Sequence, residues 1–214
     1  MKEIYFTEEN IDYKVKKMID KIESGKTKKL RKNINITDSA LIIIDMQRYF
    51  TSPLSHAFVP SVEPVIGKIK KLIGIFVSRN SPVIFTRHID DLKNKDNMLL
   101  KWWRDKILES DSLSELDERL YSEKFTVVIK SSYDSFHKTE LESILEKNKI
   151  KKIFIAGVVS NLCCETTARS GFIRGYEIYF GVDTTCAYSF SHHLSSVINI
   201  AYGFGVPFIL EDLK

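Results

Sequence analysis

Hydrophobic and polar positions change period several times along the chain. Over residues 7–25, Ile11, Val15, Met18, Ile19 and Ile22 recur at spacings of three and four, which predicts a helix with one apolar face. Thr7 stands where a cap is expected, and Gly25 where such a helix ends. The period then changes. "ALIIIDM" (40–46) is a continuous apolar run, too short to span a membrane and β-branched enough for a buried strand. Runs of the same kind follow at 82–87 ("PVIFTR"), 125–130 ("FTVVIK"), 151–157 ("KKIFIAG"), 176–183 ("YEIYFGVD") and 206–210 ("VPFIL"). Helical spacing fills the intervals at 61–80, 97–107, 139–149, 164–175 and 191–205. Thr139 and Glu142 have the spacing of a capping box, and Gly175 is placed to close the helix before it.

Six short apolar runs separated by helical segments predict βαβ units. The fold class is therefore α/β: a three-layer sandwich with a six-stranded, mostly parallel sheet and helices on both faces. No repeat or second domain interrupts it. The reading gives an amphipathic helix and basic linker over residues 1–35 and a single domain over 36–214. In such sheets ligands bind outside the carboxyl ends of the strands.

Composition adjusts this picture only slightly. With 43% hydrophobic residues, the 214-residue chain is long enough to bury a large core. A net charge of +4 gives no basis for nucleic-acid binding. The densest basic run, "KTKKLRKN" (26–33), reads as a solvated linker. No stretch reaches the roughly 20 apolar residues of a membrane span. Three cysteines and an opening "MKEIYFTEEN" without a long apolar core suggest a reducing, cytoplasmic setting.

Three strand ends carry chemistry. Asp45 ends the first apolar run, Lys130 ends "FTVVIK", and Cys163 follows "KKIFIAG" by a short loop, at the expected start of the next helix. Taken singly, these are a cap, a solvated strand terminus and a small core residue. Taken together, they are a carboxylate, an ammonium and a thiol at one sheet edge. A helix start or nearby cation depresses a thiol's pKa, and a carboxylate can accept its proton. That combination suits acyl transfer.

The segments "IIIDMQRYF", "VVIKSSYDSF" with "TEL" after it, and "IAGVVSNLCCETTARSGFIRGY" followed by "GVD" resemble the isochorismatase-like hydrolase superfamily. The likeness runs from about residue 40 to residue 210. It implies a Rossmann-like arrangement, usually as a homodimer or homotetramer, and a small-molecule substrate. By the resemblance Asp45 is the general base, Lys130 the third member of the triad and Cys163 the nucleophile. Cys164 falls where the family usually has Val and reads as packing; Cys186 reads as structural. A cis peptide between Val158 and Val159 is implied, turning the Val159 N–H toward the Cys163 N–H to form an oxyanion hole.

Amidases of the superfamily keep the cysteine, which favours the amidase branch and an N-carbamoylsarcosine amidase-like enzyme. The alternative is an isochorismatase-type vinyl ether hydrolase, with Asp45 as general acid and pyruvate released. A non-catalytic binding protein is the third reading, disfavoured by the complete Asp45, Lys130 and Cys163 set. His88, Asp90 and Asp91 lie where metal-dependent relatives carry ligands, but no second His follows, so neither metal nor other cofactor is expected. Phe50, His88, Trp102, Trp103 and Tyr133 are the candidate pocket residues, the tryptophans equally suited to a core or subunit interface. Arg87 and Arg169 are candidates for holding a substrate carboxylate. His192 and His193 read as surface or cap.

Overall fold

In the computed structural model, residues 2–23, 28, 30–32, 34–94 and 97–213 are described. Helix α1 (Ile11–Ile22) is followed by β1 (Ser39–Ile44), a short α2 (Arg48–Thr51), α3 (Val62–Ser78), β2 (Val83–His88) and α4 (Met98–Trp103). Then come β3 (Thr126–Lys130), α5 (Leu141–Lys147), β4 (Lys152–Val158), α6 (Glu165–Ile173), β5 (Glu177–Cys186), α7 (Phe190–Gly203) and β6 (Val206–Phe208). All six strands pair in parallel in the order β3-β2-β1-β4-β5-β6. The predicted α/β sandwich is what forms, with a wholly parallel sheet.

Successive strand residues point to opposite faces, so a strand buried at every position is covered on both sides. β1 is such a strand, and β4 and β5 are buried throughout except at their first residues. The edge strand β3 alternates: Val128 and Lys130 turn inward and are buried while Ile129 is exposed. The order reverses between β1 and β4, which makes the carboxyl ends of those two strands the topological switch point.

Several local expectations are corrected. The first helix begins at Ile11, not near Thr7; Thr7 instead gives its carbonyl to the Ile11 N–H at 3.0 Å. The expected ending at Gly25 lies outside the described residues, as do 26, 27, 29 and 33 of the basic run. Within that run Arg31 ion-pairs with Asp212 at 2.7 Å. The capping box is broken: Thr139 Oγ1 accepts from the Leu141 N–H at 3.3 Å, but Glu142 turns to Arg174 at 3.1 Å. The helix expected over 97–107 stops at Trp103, because Arg104 takes a left-handed conformation at φ 53°. Gly175, also at positive φ, closes α6 as read.

The apolar face of α1 (Ile11, Val15, Met18, Ile19), with Tyr5 and Phe6 before it, packs into the same core as the sheet. Among the described residues, no helix is long and apolar enough to cross a membrane.

Candidate active site

Asp45 lies one residue past β1, in the left-handed region at φ 49°, which Asp tolerates better than most side chains. Thr86, on the neighbouring β2, holds it twice. Its Oγ1 accepts the Asp45 N–H at 3.1 Å and donates to Asp45 Oδ1 at 2.7 Å. Gln47 ties the same turn to β2. Its Nε2 donates to the His88 and Ser114 carbonyls at 3.0 and 2.8 Å, and its Oε1 accepts the His88 N–H at 2.8 Å.

Lys130 reaches across from β3, and its side chain is completely buried. Its Nζ lies 2.7 Å from Asp45 Oδ2 and 3.4 Å from Cys163 Sγ, and it donates to the Ser132 carbonyl at 2.9 Å. The contact with Asp45 is a buried ion pair, and Lys130 is the charged partner of Oδ2, which is itself fully buried.

Cys163 does not open a regular helix. It falls in a single π-type turn, Ser160–Cys164, that precedes α6. The Val159 carbonyl accepts both the Leu162 and Cys164 N–H groups, at 3.0 and 3.3 Å. The Val158–Val159 peptide before this turn is cis.

Electrostatics reverse one expectation. A helix start and a neighbouring cation were expected to favour the thiolate. Burial and the Asp45 carboxylate outweigh Lys130, and the Cys163 thiol is pushed up instead. Burial pulls on the Lys130 ammonium in the opposite sense, but the charge of Asp45, aided by Cys163, leaves it raised. At rest the site holds a protonated thiol beside a charged lysine.

Asp45 and Cys163 open onto a cavity of about 690 Å³. Phe50, His88, Trp103 and Tyr133, the candidate pocket residues, line it, and so does Val159. Trp103 Nε1 donates to the Tyr133 hydroxyl at 2.6 Å. Trp102 is a correction: it is 74% exposed and turned to an outer groove, filling neither this cavity nor the core. Arg87 is another, held by the Ser114 carbonyl at 2.9 Å and by Glu115 at 2.8 Å. Arg169 pairs with Glu165 one turn earlier and covers the Phe204 ring. Neither arginine lines the cavity. His192 lies exposed at its mouth, but His193 is fully buried, neither surface nor cap.

Asp90 is committed to structure: Oδ1 meets His88 Nε2 at 3.1 Å and Oδ2 accepts the Ile107 N–H at 2.7 Å. Asp91 accepts the Lys93 N–H at 2.9 Å. Among the described residues, no group of three His, Cys, Asp or Glu is placed to hold a metal ion. Cys164 and Cys186 are buried packing thiols, both raised by burial.

Sequence reading missed the rest of the wall. Tyr49 donates to Asp105, which also meets His56 Nε2 at 2.7 Å, and the three line the cavity mouth. Burial alone would lift Asp105, but hydrogen bonds from Tyr49, the Lys106 N–H and His56 bring it below the usual range. Thr86 left a faint trace in the sequence, a hydroxyl directly after the apolar residues Val83, Ile84 and Phe85 of β2.

A doubly wound sheet with a thiol at its switch point defines the class: an α/β enzyme with a cysteine-bearing site. The chain belongs to the isochorismatase family, whose domain matches residues 39–212, and it is a hydrolase of the isochorismatase-like superfamily. It is 34% identical over 188 residues to Nicotinamidase 3 of Arabidopsis thaliana, covering 86% of this chain and 91% of that one. It is 28% identical to the ureidoacrylate amidohydrolase RutB of Acinetobacter baylyi, covering 78% of each. The crystal structure of a cysteine hydrolase from Pseudomonas syringae pv. phaseolicola superposes with a TM-score of 0.78 at 28% identity, covering 84% of this chain and 92% of that one.

Proposed function

We propose that the protein is a metal-independent cysteine amidohydrolase, cleaving a small amide or carbamoyl C–N bond. One observation carries the reading: Lys130 Nζ touches both the Asp45 carboxylate, at 2.7 Å, and the Cys163 sulfur, at 3.4 Å, at the edge of an open cavity. The names of the amide-cleaving relatives, Nicotinamidase 3 and ureidoacrylate amidohydrolase, support it.

The chemistry follows from the resting protonation. Asp45 takes the thiol proton as Sγ attacks the substrate carbonyl, and Lys130 offsets the negative charge that forms. The Val159 and Cys163 N–H groups receive the oxyanion, a role in which each donor contributes roughly 3–4 kcal/mol in well-studied hydrolases. Collapse breaks the C–N bond, and the proton on Asp45 passes to the departing nitrogen. Water, deprotonated in turn by Asp45, attacks the thioester; the carboxylic acid leaves and the thiol is restored. Phe50, Trp103, Tyr133 and Leu162 form the apolar part of the wall against which the acyl portion rests. In the vinyl ether alternative, a thiol in contact with the buried Lys130 would have no task.

The test is ammonia release from a panel of small primary amides and N-carbamoyl compounds, with acid-quenched mass spectrometry of the active mixture. The wild type is expected to turn over and to carry an acyl mass on the Cys163 peptide. Cys163→Ala is expected to lose at least about 1,000-fold in kcat. Full activity in that variant would overturn the reading. Pyruvate release from isochorismate by Cys163→Ala would establish the alternative.

A further inference from the structure

One buried ionisable side chain has no part in the steps above. His193 sits in the first turn of α7 with no exposed surface. Its Nε2 lies 3.1 Å from the Val182 carbonyl, and a carbonyl only accepts, so Nε2 carries the hydrogen. In the neutral ring Nδ1 is then a bare acceptor. It lies 2.7 Å from Ser160 Oγ, so the serine hydroxyl donates to it. Burial pulls the His193 pKa down to about 4, which keeps the ring neutral in this role.

Ser160 is also fully buried and does not line the cavity, so its hydroxyl has no access to substrate. It is the first residue of the turn that ends in the Cys163–Cys164 pair, and it directly follows Val159, which does line the cavity. The imidazole is gripped from its other side by two rings. Tyr5 stacks on it at 5.9 Å and Phe6 meets it edge-on at 5.4 Å. The Tyr5 hydroxyl accepts the Ala187 N–H at 2.8 Å, anchoring the grip to the segment after β5. The matched family domain begins at residue 39, so both gripping rings come from outside it.

We propose that His193 is a positioning residue for the hydrolysis: by accepting the Ser160 hydroxyl it fixes the start of the turn that carries Val159 and Cys163, while Tyr5 and Phe6 hold its ring. The inference rests on the amidohydrolase reading. Cys163 has its own anchor in Lys130, at 3.4 Å, so the turn's far end is held independently of Ser160. What Ser160 governs is the Val159 end, where the substrate oxyanion is received. Loss of this bond therefore slows turnover without changing the reactivity of the thiol itself.

The experiment uses the full chain and an amide that the wild type cleaves. Ser160→Ala and His193→Phe, the latter keeping a ring for Tyr5 and Phe6, are each expected to lower kcat about tenfold with KM within about twofold. The rate of Cys163 alkylation by iodoacetamide is expected to stay within about twofold, and Ser160→Thr to keep at least about half of kcat. The double variant should lose no more than either single one, since both remove the same bond. Unchanged kcat in both single variants, additive losses, or kcat and alkylation falling together would each overturn the inference. If a variant fails to fold, 15N NMR of the wild-type histidines decides: a neutral His193 with its hydrogen on Nε2 is expected, and an Nδ1–H tautomer or an imidazolium at neutral pH would overturn it. A wild type without amide turnover would sink the amidohydrolase reading and the catalytic role of His193 with it. An active wild type with unaffected variants sinks the inference alone.

Discussion

Asp45 acts on Cys163 in two opposed ways. As a charge it adds to burial in holding the thiol protonated; in the proposed reaction it is the base that removes that proton. Replacing it with Asn separates the two effects. In Asp45→Asn the carboxylate's share of the upward push on Cys163 disappears while Lys130 still pulls the thiol down. The thiolate fraction near neutral pH then rises, and Cys163 should alkylate faster at pH 7–8 than in the wild type. Hydrolysis should move the other way, falling by about 100- to 10,000-fold, the usual range for a lost general base. Iodoacetamide kinetics mapped to the Cys163 peptide, beside ammonia release, would check both directions. Slower alkylation in Asp45→Asn would show that the carboxylate activates the thiol at rest, against the balance of burial and charge around it. The three groups of the site were legible in the sequence because Asp45 and Lys130 end apolar runs and Cys163 follows one by a short loop. The bonds by which Thr86 and Gln47 hold the Asp45 turn were not, because each reaches a residue 41 positions away, a distance that no local pattern encodes.

The reacting groups also depend on how closely the strands beneath them approach. β1 pairs along its whole length with β4, with Ile44 opposite Gly157 at the site end. Gly157 takes φ 112°, and a methyl group built on it would lie 2.1 Å from the Ile44 carbonyl oxygen. Backbone at that distance cannot yield as a flexible side chain can. Gly157→Ala is expected to destabilise the fold by about 3 kcal/mol or more, combining the strain of positive φ with the clash. Urea unfolding would measure it, and a loss under about 1 kcal/mol would mean that the two strands separate easily. At this scale the strands were readable because a parallel sheet covered on both faces demands continuous apolar runs. Their ends shifted by one to three residues, as with β5, which continues to Cys186. The stretch between Arg104 and Phe125 stayed opaque for a different reason. It has little regular structure of its own and is fixed by contacts such as the Asp117 N–H to the Met46 carbonyl at 2.8 Å, so its order comes from what it touches.

Across the whole molecule one carboxylate binds distant parts of the chain together. Asp183, 1% exposed on β5, accepts the Leu210 N–H through both oxygens at 3.2 and 3.0 Å. Lys68 of α3 stands 3.9 Å away and also pairs with Asp12 of α1. Burial raises Asp183 from 3.8 to about 6; the Leu210 N–H and Lys68 oppose the shift without cancelling it. A raised carboxyl binds its proton more tightly in the folded state than in the unfolded one. Its contribution to stability is therefore complete below pH 3.8 and lost as pH rises through about 6. At 1.36 kcal/mol per pH unit the displacement amounts to at most about 3 kcal/mol. Asparagine mimics the protonated form, keeping an oxygen for Leu210 and losing the titration. The difference in unfolding free energy, wild type minus Asp183→Asn, should decline as pH goes from 4 to 7. Taking the difference cancels carboxylates of the opposite slope, such as Asp117, whose burial is outweighed by hydrogen bonds from Arg119. Urea midpoints for both proteins across that range would measure the decline. A difference that stays flat would mean that Lys68 compensates the buried charge fully, and that this junction of α1, α3, β5 and the end of β6 is held as an ion pair at every pH.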